Sequence, residues 1–344
     1  MEKVDYVIVG DGFAAIFFAH QLIKNGKSFK LFSEGNENSA SKICAGVCNP
    51  LVLKRFTKIW KDEEQIEYLQ IILSEIEKYL KKNYLIRENV VRIFHDEVEK
   101  NLWLKKSNQE EFSNYISNNI QNLKNIENPF GSGAVKTSCR MNVPDFFSDF
   151  FDYLKKNDHL VNEKFSYKDL DEKNSIYKNI FFNNLIFAEG VGAKNNPYFA
   201  EIPIQPNKGH RLSVSLERDI DPVIAKKKHF LLKFSGKEYY YGATYDRESQ
   251  TEGSDNDAKN ELIDALNETY KYQYKLIDVR YAFRATTLDR RPILGKHKNY
   301  KNIHIFNGLG ARGVLNGSYF SKHLFNFIEK GIEIFPEVNV ERFY

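Results

Sequence analysis

The sequence predicts an α/β fold in which a Rossmann-like dinucleotide-binding domain is interleaved with a mixed-sheet α+β domain, and three observations predict it. The chain begins with a β-branched apolar strand, residues 4–9, that breaks at Gly10 and restarts at once as an apolar helix reaching Leu22. A second strand with a glycine loop and a helix behind it, Ile303-His304-Ile305-Phe306 then Asn307-Gly308-Leu309-Gly310-Ala311-Arg312-Gly313, lies at the far end. Between them, residues 208–245 switch to the alternating pattern of strands. Two nucleotide-type loops at opposite ends of the chain suggest one cofactor gripped from both sides, so the domains are expected to interleave.

In the first motif the strand feeds straight into a helix whose N-terminus can carry a pyrophosphate. Gly10 permits the tight turn, Gly12 lets backbone approach phosphate oxygens, and Ala15 keeps the helix close to the strand. The strand Phe29-Lys30-Leu31-Phe32 follows and ends at Ser33-Glu34, roughly 20 residues on, where a carboxylate for the ribose hydroxyls is expected. An adenine dinucleotide is the ligand this pattern implies.

The remaining elements follow in order. The small-residue run from Ser39 to Pro50, containing Ser41, Ala45, Gly46 and Val47, suits close approach of a planar group or of another backbone. Residues 62–83 read as a helix with Ile66, Leu69, Ile72, Leu73, Ile76, Tyr79 and Leu80 on one face. A strand is expected at residues 90–94, and a helix with flanking loops in the Asn-rich residues 104–128. Pro144 in a first turn starts a helix carrying Phe146, Phe147, Phe150, Phe151 and Leu154. Residues 180–188 read as a buried strand ending at Glu189-Gly190, Gly236-Lys237 as a hairpin turn, and residues 257–271 as a helix.

Composition bounds the rest. At 344 residues the chain has two domains' worth of material, and its interspersed net charge of +4 argues for neither a nucleic-acid stripe nor a membrane patch. Met1-Glu2-Lys3 leads directly into the first strand, so no signal peptide is expected, and no apolar run approaches a bilayer span. Cys44, Cys48 and Cys139 suit a reducing compartment and form no metal set, so the expected location is the cytosol.

Taken together, these segments resemble the FAD-dependent oxidoreductases of the D-amino-acid oxidase superfamily, which includes glycine oxidase, sarcosine oxidase and D-amino-acid dehydrogenase. The resemblance runs in order through residues 7–15, Ser41 with residues 45–50, Phe187-Ala188-Glu189-Gly190 and Lys208-Gly209. Its most specific part is Phe283-Arg284-Ala285-Thr286-Thr287-Leu288-Asp289-Arg290-Arg291-Pro292-Ile293-Leu294-Gly295 followed by the last glycine loop. It implies FAD held by Gly10, Gly12, Phe13, Ala14, Ala15, Ser41, Ala45, Gly46, Val47, Glu189 and Gly190, and by Gly308, Leu309, Gly310, Ala311, Arg312 and Gly313. Ser33 stands where the family carries the ribose-binding acid, with Glu34 one residue later, and Ala285 replaces the proline after the arginine.

The implied reaction oxidises a C–N bond by hydride transfer to flavin N5, with imine hydrolysis afterwards. Arg284 is then the candidate for the substrate carboxylate, against an ion pair with Asp289. Arg312 is a second cation for the same face or for the flavin C2 oxygen. Tyr241, with Tyr239 and Tyr245, is the strand-tyrosine candidate for covering substrate, against core packing. His210 is open between facing the flavin and capping a turn, and Cys44 or Cys48 is near enough for a covalent thioether to be weighed. The expected substrate is a small amine or amino acid, with oxygen or another carrier as electron acceptor. Two other functions fit the family: removal of a carboxymethyl group from an aminomethyl uridine in tRNA, and a non-catalytic flavoprotein. The expected division is a FAD-binding domain of residues 1–85, 143–203 and 285–344 and a substrate domain of 86–142 and 204–284.

Overall fold

The strand Glu2–Val9 is buried on both faces, as its unbroken apolar run requires of a central parallel strand. Tyr6 and Ile8 face one apolar cluster, and Val7 and Val9 face another. In the computed structural model, which describes residues 1–221 and 224–344, this strand pairs in parallel with Phe29–Phe32 on one side and Ile180–Phe187 on the other. Leu160–Val161 extends the parallel ladder beyond Phe29–Phe32, and Ile303–Asn307 pairs in parallel with the end of Ile180–Phe187. The helices Phe13–Lys24 and Gly313–Lys330 pack on one face of this sheet. They approach closely because Gly313 and Gly317 lie against the rings of Phe13 and Phe17, with no room for larger side chains.

The second sheet runs in the order Tyr274–Thr286, Gln205–Leu216, Glu238–Gly242, Phe230–Ser235, Ile224–Lys226, Val90–Ile93, Ser132–Val135, Ile116–Gln121. Its pairings are antiparallel except Ile224–Lys226 against Val90–Ile93. The chain visits the first sheet, the second, the first, the second and the first again, so the two are interleaved as expected.

The expected hairpin turns at Gly236, where φ is +53°, and the helix expected over 257–271 spans Asn256–Thr269. The helix expected over 62–83 ends at Leu80, because Lys81 turns left-handed at φ +61°. The larger correction concerns residues 104–128. The helix lies earlier, at Glu97–Ser107, where the Asp96 carboxylate accepts the Glu99 backbone N–H at 2.7 Å, and Ile116–Gln121 is a strand. That Asn-rich strand tolerates its polar residues because it forms the sheet's edge and exposes them. The 13-residue strand Tyr274–Thr286 was not anticipated at all. Its side chains are mostly half-buried or exposed, so its sequence lacks an apolar alternation.

Among the described residues no helix is long and apolar enough to cross a membrane. Helix Asp62–Leu80 is fastened to Phe13–Lys24 by Glu75, which faces the buried His20 ring at 3.2 Å and Lys24 Nζ at 2.6 Å. Burial keeps His20 neutral, so its ring N–H donates to the carboxylate, and the two partners draw Glu75 down from its ordinary 4.5 to about 2. A carboxylate depressed on folding stabilises above its unfolded pKa and loses that contribution as pH falls through its folded one. Replacing Glu75 with Gln is therefore expected to lower the melting temperature at pH 7, with the difference from wild type shrinking between about pH 4.5 and 2. A difference that does not change with pH would contradict this assignment.

Candidate active site

The first turn sits against the end of the central strand. Gly10 has φ +118°, and a Cβ there would collide with the Ala188 carbonyl oxygen. Gly12 then starts a helix with no side-chain cap and no acidic residue in its first turn. Of its first amides, that of Phe13 donates to Ser41 Oγ at 3.1 Å, and that of Ala14, on the cavity wall, remains for a ligand. A Cβ on Gly12 would stand 2.9 Å from Ser41 Oγ. This is a helix terminus shaped and polarised for a phosphate.

From this turn a cavity of about 640 Å3 runs between the two sheets. It is lined by Gly10, Gly12, Phe13 and Ala14, by Ser41, Ala45, Gly46 and Val47, and by Glu189 and Gly190. Leu309, Gly310, Ala311, Arg312 and Gly313 close it from the other end of the chain, and Arg284 reaches it from the second sheet. Asn307 ties the two loops together: its amide donates to the Gly190 carbonyl at 2.9 Å, and its side-chain oxygen accepts the Gly308 N–H at 2.7 Å. Glu189 is held in place by Tyr167 and by Asn196 at 2.7 Å. Burial raises its pKa, and those two bonds oppose the rise.

Four of the predicted cofactor-binding positions are not on the cavity wall. Ala15 packs beneath the first turn and is fully buried. Gly308, at φ +68°, shapes its loop from behind, against Ile293 and Thr287. Ser33 donates to Asp11 Oδ2 at 2.9 Å, and Glu34 turns outward to Lys164 at 3.3 Å. The acid beside the first turn is Asp11, which also meets Lys42 Nζ at 3.1 Å. With Asn36 and Asn38 it borders the space expected for the ribose. Asp11 sits inside the glycine motif itself, so the reading by spacing from the motif passed over it.

The substrate-side candidates separate cleanly. Arg284 donates to Asn207 Oδ1 at 2.9 Å and to the Thr244 carbonyl at 3.2 Å, with its guanidinium 5.2 Å from the Tyr245 ring. Among the described residues no carboxylate pairs with it, and Asp289 pairs instead with Arg342 at 2.9 Å. The ion pair of Arg284 with Asp289 is therefore not formed. Arg312 lines the same cavity, also with no carboxylate partner among the described residues, and both burial and the charges of Arg290 and Arg291 lower its pKa.

Tyr241 belongs to the core, where it packs against His229 at 5.5 Å. Strand alternation turns Tyr240 into the cavity instead. Tyr245 does line the cavity. His210 caps a turn, its Nε2 accepting the Asp255 backbone N–H at 3.0 Å. Cys44 lines the cavity as a thiol, its pKa pushed up to about 11 by burial, while Cys48 is buried opposite Cys139. Lys226, which the sequence reading did not single out, also borders the cavity, and burial together with Arg92 lowers its pKa to about 7.

Comparison with known proteins agrees with this geometry. Solved structures sharing the fold include glycine oxidase from Geobacillus kaustophilus (TM-score 0.80, 14% identity, 97% of each chain covered). Iminodiacetate oxidase from Chelativorans sp. BNC1 (0.78, 16%, 98% of each) and glycine oxidase from Bacillus cereus (0.77, 15%, 96% of each) share it as well. The family model for FAD dependent oxidoreductases, DAO, matches residues 5–326, nearly the whole chain. The protein is thus a member of the DAO family of FAD-dependent oxidoreductases.

Proposed function

We propose that this enzyme oxidises the C–N bond of a small amino acid or secondary amine, with Arg284 holding the substrate carboxylate. The observation that carries this reading is a guanidinium inside a dinucleotide cavity with no carboxylate of its own. Burying an unpaired cation costs desolvation energy that a ligand carboxylate offsets, and the planar fork of Arg fits that anion through two parallel hydrogen bonds. The names of the oxidases sharing the fold, of glycine and of iminodiacetate, support a carboxylated amine.

The residues present fit FAD: the Ala14 amide is free at a helix N-terminus on the cavity wall, Gly12 puts no side chain over that turn, and a loop from the far end of the chain closes the cavity. Bound FAD supplies the acceptor for a hydride from the carbon bearing the amine, leaving a C=N bond that water hydrolyses to a carbonyl and a free amine. The chain's part is positioning. Asn207 and the Thr244 carbonyl fix the Arg284 fork, while Tyr240, Phe230 and Tyr245 wall the cavity beside it. Arg312 precedes the N-terminus of helix Gly313–Lys330 and adds positive potential that favours negative charge on a bound ring system. The same reading assigns residues 1–85, 143–203 and 285–344 to cofactor binding and 86–142 and 204–284 to the substrate. No observation in the cavity favours a tRNA substrate.

Two outcomes are expected. Gly12→Ala has a permitted backbone, since φ is −87°, yet its methyl group presses on Ser41 Oγ at 2.9 Å and crowds the turn that receives the phosphate. The variant should fold with an unchanged circular dichroism spectrum and purify without the visible absorbance of flavin; full FAD occupancy would contradict the phosphate assignment. Arg284→Leu should keep FAD but lower kcat/KM for carboxylated amines by roughly 10- to 100-fold, the worth of a lost charge-assisted contact. Anaerobic bleaching of the flavin measures this, and an unchanged rate would refute the role given to Arg284.

A further inference from the structure

The main cavity has a side chamber of about 40 Å3, larger than the roughly 10–15 Å3 one water needs. Gly209, Arg211 and Ile43 border only this chamber, and Tyr240, Cys44 and Arg284 border both spaces. Strand alternation explains the arrangement. On Gln205–Leu216, residues Asn207, Gly209 and Arg211 share the cavity face, and Leu212 and Val214 enter the core behind it. Gly209 has no Cβ, and one there would collide with the Arg284 guanidinium that crosses it.

Arg211 is 7% exposed. Its Nη1 donates to Ser213 and its Nε has no partner. The guanidinium lies 5.5 Å from the Tyr240 ring and 5.8 Å from the Phe234 ring. The acids that feel its charge are committed or distant: Asp278 bridges Arg280 at 2.8 Å, and Glu238 forms no ion pair with it. On Phe234 stacks a further buried guanidinium, Arg140, at 5.8 Å, and its Nε is also unpartnered. The chamber is therefore bordered by two arginines, with a third close behind and no carboxylate among the described residues to balance Arg211 or Arg284. A permanently charged group buried in this way is stabilised when a ligand supplies the missing anion.

We propose that the side chamber receives a second carboxylate, so that the substrate is a short amine bearing two carboxylates, one on Arg284 and the other on Arg211. The amine rests on the function proposed above; the anion preference of the chamber does not. A planar carboxylate matches both the fork of Arg211 and the small volume, and Arg284, Tyr240 and Cys44, which border both spaces, make the two anion sites neighbours that one short substrate can occupy.

The test titrates the FAD-loaded enzyme with malonate and succinate, and with acetate, propionate and chloride, following the visible spectrum of the flavin. Dicarboxylates are expected to bind at least tenfold more tightly than monocarboxylates, and Arg211→Met to bring that ratio to about one. Arg211→Lys, which keeps the charge without the fork, should restore part of it. Equal binding of the two classes to wild type, or an unchanged ratio in Arg211→Met, would overturn the proposal. Anaerobic reduction by aspartate enantiomers and iminodiacetate, set against alanine and glycine, separates the two readings. If dicarboxylates bind through Arg211 and no amine reduces the flavin, the proposed reaction fails and the chamber stands. If amines reduce it without preference for a second carboxylate or dependence on Arg211, the chamber fails and the reaction stands.

Discussion

The constraint on which the rest depends is the contact between Gly10 and the Ala188 carbonyl. Two neighbouring parallel strands end there side by side, with no space for a Cβ between them. This contact sets where the first helix begins, and so where its free amides point. It also brings Glu189 and Gly190, at the end of the second strand, to the wall of the same cavity. Asn307 then anchors the last glycine loop to Gly190, so a segment from the far end of the chain closes the space. The cavity is thus assembled from parts distant in sequence, because the strands that carry them are adjacent in one sheet.

The chemistry is set by charge left over after folding. Many charged side chains find partners of opposite charge, such as Asp289 with Arg342 and Lys24 with Glu75. Arg284, Arg312 and Arg211 meet no carboxylate among the described residues, although desolvation acts on each of them. Neutral partners fix Arg284 without cancelling its charge: an amide oxygen, a carbonyl and an aromatic ring. A carboxylate partner from the chain would have stabilised the fold and removed the site's capacity to bind an anion. The protein keeps the cation oriented and unpaid.

Much of this was legible in the sequence where backbone geometry dictates residue type. The two glycine loops, the central strand and the small-residue run at Ala45-Gly46-Val47 were all visible, because each needs small side chains or an apolar run. Arg284 was also singled out, and its lack of an acidic partner was settled only when Asp289 was seen against Arg342. What was not legible depends on which face of a strand looks inward. Tyr240 and Tyr241 are equivalent as sequence, and a one-residue difference in register exchanges their roles. Arg211 lay in an alternating strand and drew no attention, since its burial comes from Phe234 and Tyr240 on neighbouring strands. Asp11 was passed over for Ser33 and Glu34 because a chain distance stood in for a distance in space.

The central claim is that one FAD is gripped from both ends of the chain with Arg284 left free to bind a substrate anion. A crystal structure of the FAD-loaded protein, soaked with a simple carboxylate, tests it most directly. The account expects the pyrophosphate at the helix N-terminus that begins at Phe13, on the free amide of Ala14, the ring system between residues 45–47 and 309–313, and the carboxylate on the Arg284 fork. FAD phosphates on Arg284, or a carboxylate bound elsewhere with Arg284 untouched, would contradict it.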